Sequence, residues 1–519
     1  MASERQQIHE EDESIGSIDE TSSKPTPLPK LQLFITLLVQ FAEPVTGLVI
    51  YPFINQLVRD TGINHGDETK TGYYAGLIES SFFLAECLSV VLWGYLSDRY
   101  GRRPVLLIGP LGLSISAVLF GLSKTFWRLL GFRCLQGVFN GNIGVAKSVI
   151  AEITDDTNVG QAYGYIPLMW STGVTIAPFL GGILSKPAER WPNIFGKFDI
   201  FRSHPYFLPC AVAGAIALVT FIVAFIGLNE TLPAIVEREK ATRSQSTANE
   251  TADSTTPLLH KSTNDTYGAI SENTPVFETQ TATAFIHEDE EHLKEVPSLL
   301  YRPLLLVYLN YLFLAFCDMS NSVLLPLMYS TPIEYGGLGL EPVHIGTALG
   351  TFGLVNSLFQ SQVFGSLVRK FGPVRIYQFG FTALCCSFLV YPVMALLAKR
   401  AGYVNAAVVA CIVVHFSLIA MVYMAYATIH VLIVQSVPEG GRMGTANGLG
   451  QMAGTGMRAI APTVASSLFS VSIQRNLLGG SLGFYLLFGF SVIGIWTSLL
   501  LIDPSTLKKE KRRSQPSSN

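Results

Sequence analysis

The chain has 519 residues, 49% of them hydrophobic and 14% charged, with a formal net charge of −3. Soluble domains carry about 25% charged residues, so this composition excludes an ordinary soluble protein and fits a polytopic membrane protein. Near-neutral charge gives no basis for a nucleic-acid partner. The seven cysteines all lie in apolar runs without metal-ligand spacing or a disulfide framework.

Residues 1–30 are polar and acidic, lack the apolar core of a signal peptide, and are expected to form a disordered cytoplasmic tail. A helix crossing ~30 Å of hydrocarbon needs about 20 mostly apolar residues. Twelve such segments are predicted, near 31–57, 73–97, 104–122, 127–150, 161–185, 205–228, 302–328, 343–367, 374–398, 404–432, 443–470 and 480–502. The first six make a bundle over 31–228 and the last six a bundle over 301–502. Between them, residues 229–300 are rich in Thr, Ser, Glu and Asn, too polar to build a core, and read as a disordered cytoplasmic linker. A basic cytoplasmic tail, 503–519, carries "KKEKRR".

Short loops alone put more Lys and Arg on the side opposite the tails. The linker ends and tails reverse that balance through Arg238, Lys240, Arg243, Lys24 and Lys30. An even number of spans leaves both tails on one side. The sequons at Asn229, Asn249 and Asn264 then face the cytoplasm and are expected to stay unglycosylated.

The two halves echo each other. "GYLSDRYG" from 94 returns as "GSLVRKFG" from 365, "FAEPVTGLVIYP" from 41 as "FCDMSNSVLLP" from 316, and "TGVTIAP" from 172 as "TGMRAIAP" from 455. The second echo sets Glu43 opposite Asp318. Three echoes in one order argue for a duplicated six-helix unit, and parallel repeats of this kind place a substrate site at the midplane between halves. The fold class expected is an all-α membrane protein of two pseudo-symmetric six-helix bundles.

These residues resemble the major facilitator superfamily over about 31–502. "GYLSDRYGRRPVL" looks like its signature loop between the second and third helices, matched at Gly94, Leu96, Asp98, Arg99, Gly101, Arg102 and Arg103. Gly94 and Gly101 are expected to permit the turn. Asp98 can pair with the arginines or face a neighbouring helix N-terminus. Charges that change partners as the halves rock can serve as a gate; the bland alternative is a positive-inside signal. The second-half copy has lost the acid, with Arg369 in its place, and "NETLP" stands where sugar porters carry a different motif after the sixth span. Both departures point away from sugar uptake.

"FRCLQGVFNGNIG" resembles the fourth-helix motif whose arginine is implicated in proton transfer, with Arg133, Gln136 and Gly137 matching. An arginine inside a span normally faces a cavity or partner, although snorkelling near the interface is a second possibility. "GVTIAPFLGG" resembles the fifth-helix motif of antiporters at Gly173, Pro178, Gly181 and Gly182, with Ala177 replacing a glycine. Close helix packing alone also produces such a pattern. Together the chain resembles twelve-span fungal drug:proton antiporters and, on "WGYLSDRYGRR" and "GMRAIAP", the zinc-induced-facilitator-like branch. The nine scattered histidines give no metal site.

Charges inside the spans should line water or pair. Glu43, Asp318, Glu79, Glu86 and Arg133 are the proton-coupling candidates. Glu79 and Glu86, seven apart, share a helix face. Phe41, Tyr51, Phe82, Trp170, Tyr311, Tyr423 and Arg458 are candidates for the substrate cavity, though ordinary helix packing also uses such aromatics.

The function expected is proton-coupled efflux of a small organic molecule by a monomer in the lipid bilayer, without a cofactor or nucleic acid and without enzymatic activity. The plasma membrane is favoured. A vacuolar facilitator for a metal chelate or organic ion, for which "EVPSLL" from 295 fits a sorting signal, and a non-transporting receptor remain as alternatives.

Overall fold

The computed structural model describes residues 26–155, 158–232, 235–238, 302–437 and 443–501. The N-terminal tail to residue 25, most of the linker with Asn249, Asn264 and "EVPSLL", and the basic C-terminal tail lie outside the described residues. The twelve bundle helices are α1 (Lys30–Leu48), α2 (Thr71–Tyr100), α3 (Arg102–Gly121), α4 (Phe126–Asn140, resuming at Ile143–Glu152), α5 (Val159–Leu184), α6 (Phe207–Gly227), α7 (Arg302–Ser330), α8 (Pro342–Phe371), α9 (Pro373–Ala401), α10 (Ala406–Ser436), α11 (Met443–Gln474) and α12 (Leu482–Ser498). No strand occurs among the described residues.

Two spans are less regular than their composition suggested. The first ends at Leu48, turns through residues 49–53 around Pro52, and resumes as a short helix, Ile54–Asp60. The fourth breaks at Gly141–Asn142. Hydropathy cannot register such breaks, because neither adds enough polarity to interrupt an apolar window.

Among the described residues seven helices, α1, α2, α3, α6, α7, α9 and α10, are long and apolar enough to cross a membrane by length and composition alone. Four of the other five fall short for identifiable reasons. α12 has 17 residues, α4 is broken, and α8 and α11 are rich in Gly, Ser, Thr, Asn and Gln. Those two helices are the ones that pack across the molecule against α5 and α2, so less of their surface has to satisfy lipid.

α5 meets α8 through glycines. A Cβ on Gly182 would come within 2.8 Å of the Gly346 Cα, and one on Gly353 within 2.6 Å of the Thr175 hydroxyl. Ser171 and Ser357 share a hydrogen bond between the same helices. α2 meets α11 where Ser80 accepts from the Thr463 backbone N–H (3.0 Å) and hydroxyl (2.8 Å). Gly72 and Gly76 lie against Ser470 and Ser466. At the same end Arg59 donates 3.0 Å to the Ser330 carbonyl and pairs at 2.6 Å with Glu68. The halves therefore seal at the end carrying residues 59, 72, 182 and 342. Toward the opposite end, from which both tails and the linker leave, Leu168, Leu358 and Met452 are exposed.

Candidate functional site

The helices of the amino-terminal half bring its buried charges into two groups. In the first, Arg133 on α4 is 1% exposed, which removes the snorkelling alternative. It donates to Glu79 on α2 (3.0 Å), to the Gly47 carbonyl on α1 (2.9 Å) and to Gln136 (2.8 Å). Its guanidinium carbon lies 4.4 Å from the Phe82 ring centroid. A planar fork can serve these partners together. Three helices are thus tied at one point, and either charge left alone there would be costly.

The second group holds Glu43 of α1 and Glu86 of α2, both buried. Asn140, at the break in α4, lies beside both carboxylates, and Lys147 and Arg458 are within electrostatic range of both. Glu79 and Glu86 do share a helix face but serve different partners. Glu43 consequently has Glu86, rather than its repeat counterpart Asp318, as its acidic neighbour.

Asp318 is half-buried on α7, in electrostatic reach of Arg458 and beside Tyr426 and Tyr423. Arg458, on α11, stands with its guanidinium 5.7 Å from the Tyr426 ring centroid. Among the described residues it is the basic group within electrostatic range of buried acids of both halves. His430 is exposed on α10 and within range of Lys147 and Arg458.

The aromatic candidates divide by accessibility. Trp170 is exposed, and Phe41 and Tyr423 are half-buried. Tyr311 is fully buried, edge-on to Tyr426 and His430 at 6.3 and 5.4 Å, with Gly454 against its ring and hydroxyl. Phe82 lies beneath Arg133, and Tyr51 is buried in the turn after α1. Those three serve packing in this conformation.

In the signature loop Gly94 lies within α2 and takes no part in the turn. Gly101 alone makes it, at φ +104°, and its counterpart Gly372 turns the second-half loop at φ +79°. Arg102 donates to Asp98 (2.5 Å), Ser97 (2.6 Å) and Glu152 (2.9 Å). Asp98 does not face a helix N-terminus. Glu230 of "NETLP" does so, accepting from the Arg102 and Arg103 backbone N–H groups at 2.8 and 3.0 Å. Arg103 donates to the Phe225 carbonyl, and Arg99 to the Tyr95 hydroxyl. The loop is thus tied to the end of α4 and the exit of α6, within its own half. In the second-half loop Arg369 reaches Ser366 at 3.4 Å.

The antiporter-like glycines are contact points. A Cβ on Gly173 would meet Pro44 at 2.4 Å, and one on Gly181 the Val49 carbonyl at 1.9 Å, while Gly182 faces α8. The carbonyl of Pro178 lies against Gly346. Ala177 is fully buried.

Gln40, Asn140, Asn142 and Glu230 were not singled out from the sequence. Neutral amides inside an apolar run give no charge signal, and Glu230 lies just past a span end, where acids are ordinary. Glu152, expected to pair near the inner end of the fourth span, pairs with Arg102.

The family model described as Major Facilitator Superfamily matches residues 34–462. The chain is 34% identical to the major facilitator-type transporter psiT2 of Psilocybe cyanescens, covering 94% of this chain and 93% of that one. It is 30% identical to Protein ZINC INDUCED FACILITATOR 1 of Arabidopsis thaliana over 90% of each. Identity is 27% with the multidrug transporter mfsB of Aspergillus fumigatus, covering 92% of this chain and 83% of that one. Among solved structures, a D-xylose–proton symporter shares the fold at a TM-score of 0.66 and 14% identity, covering 92% of this chain and 99% of that one.

Proposed function

The chain belongs to the Major Facilitator Superfamily of membrane transporters, and from that premise we propose that it exports a small organic molecule in exchange for protons. The observation that carries the coupling is the buried Glu43–Glu86 pair. Two carboxylates side by side cannot both ionise cheaply, so the pair holds a proton when the nearby cations withdraw and releases it when they approach. Arg458 sits on the opposite half, so rocking changes its distance from the pair. Protonation then depends on which end is open.

The similarity to a multidrug transporter supports efflux. The exposed Trp170 and half-buried Tyr423 and Phe41 suit an amphipathic substrate better than a sugar. The chain works as a monomer in the plasma membrane, its tails and linker cytoplasmic, and the conformation described is open to the cytoplasm. A second reading, facilitated movement of an organic ion at the vacuole, draws on the similarity to ZINC INDUCED FACILITATOR 1.

A strain stripped of its own efflux pumps and carrying a tagged chain tests the proposal. Resistance to members of a toxicant panel, with label at the cell surface, is the expected result. Label at the vacuole with unchanged sensitivity supports the second reading.

A further inference from the structure

A small cavity inside the amino-terminal half is lined by Gln40 and Glu43 of α1, Pro110 of α3, and Asn140 and Asn142 at the break in α4. All four polar residues are more than nine-tenths buried. Gln40 Nε2, Glu43 Oε2, Asn140 Nδ2 and Asn142 Nδ2 have no aligned hydrogen-bond partner among the described residues. Buried polar atoms are rarely left so, and here the residues that carry them line one cavity. The backbone adds to the need. Pro110 has no N–H to give the carbonyl one turn before it, and α4 is interrupted at the same level. Gly109 makes the space, since a Cβ there would come within 1.7 Å of the Asn142 amide nitrogen.

We infer that this cavity is a binding site for ordered water, which hydrates Glu43 from within the amino-terminal half and gives its proton a path apart from the substrate cavity. A water that accepts from the Gln40 and Asn142 amides and donates to Glu43 uses both of its lone pairs, with Asn140 beside the carboxylates. Amide N–H groups would repel a metal cation. The charged groups facing Glu43 from other elements, Glu86, Lys147 and Arg458, leave this side to the amides. The water site stands on the cavity alone; its service as a proton path rests on the coupling proposed above.

Radiolytic hydroxyl footprinting of the full chain in detergent reads the water directly. Leu113, buried at the cavity wall, should oxidise several-fold faster than Leu33 of α1, which is buried to a similar degree (3% and 4% exposed) away from the cavity, and the excess should vanish in Asn142→Leu. Equal rates in the wild type overturn the site, whether or not the variant folds. In sealed proteoliposomes Gln40→Leu should lower pH-gradient-driven flux about tenfold while substrate exchange stays within about twofold. Driven flux unchanged, both modes falling together, or driven flux that requires sodium instead of a pH gradient overturns the path. Wild-type flux indifferent to any gradient refutes the coupling and leaves the footprint to decide the water.

Discussion

At the centre of the amino-terminal half Glu43, Glu79, Glu86 and Arg133 are buried together, whereas the carboxy-terminal half has Asp318 and Arg458 standing among Tyr311, Tyr423 and Tyr426. The charged half has interrupted spans, after Leu48 and at Gly141–Asn142, whereas the helices of the other half run unbroken through Pro326, Pro392 and Pro462. The aromatic half packs tyrosines and phenylalanines, such as Tyr391 stacked on Phe484 at 4.7 Å, and satisfies its buried Asn321 with Tyr391 at 2.9 Å. Its signature-like loop has the turn but no acid. Duplication thus preserved the scaffold and its glycine turns while the chemistry diverged. In the coupling proposed above, one half holds the proton and the other offers surfaces for an organic substrate.

The largest break in this asymmetry should come at Arg133. Arg133→Ala leaves Glu79 buried without its partner, which costs about 3–5 kcal/mol. The variant should lose most of its monodisperse peak in size-exclusion chromatography. Arg133→Lys should recover only part, because one ammonium cannot serve Glu79, Gly47 and Gln136 together.

Next comes the α5–α8 seam. Gly182→Val forces a side chain against Gly346 and should cost about 1–3 kcal/mol at the sealed end. Spin-label distances across that end should lengthen relative to the wild type, and unchanged distances would show that the seam does not set the conformation.

Asp98→Asn keeps the volume and removes one of the two acids that hold Arg102. Transport at equal membrane abundance should slow about tenfold, equivalent to about 1.4 kcal/mol of barrier. Arg369→Ala in the acid-free copy should change the rate by less than about twofold. Equal effects would make the two loops equivalent and blur the comparison. The smallest effect belongs to the aromatic side. Tyr423→Ala should raise the substrate KM a few-fold, worth about 1 kcal/mol, with dependence on the pH gradient untouched.

Much of this architecture was legible because lipid imposes a coarse rule that apolar length reports. The bundle of long helices was read from it, although among the described residues seven pass on length and composition alone, and the turn at Gly101 was read from the motif. The breaks after Leu48 and at Gly141–Asn142 were not legible, since two or three residues barely alter a twenty-residue window. The buried charges were legible as a set, because a charge in an apolar run stands out, but their pairing was not. Glu79 and Glu86 lie on one face of one helix, and only the placement of α1 and α4 decides that one meets Arg133 and the other meets Glu43. Gly94 was assigned to the turn on motif position, although a helix can run through a glycine that nothing crowds. Asp98 was given two possible partners, and Glu230, far along the chain, occupies one of those places.

The division between the two acid groups is tested most directly by substrate flux in sealed vesicles, measured with an imposed pH gradient and in gradient-free exchange, for the wild type and Glu43→Gln. The account predicts uphill transport in the wild type that collapses when the gradient is dissipated. It predicts that Glu43→Gln loses uphill transport while keeping exchange. Wild-type flux indifferent to the gradient, or uphill transport that survives Glu43→Gln, would contradict it.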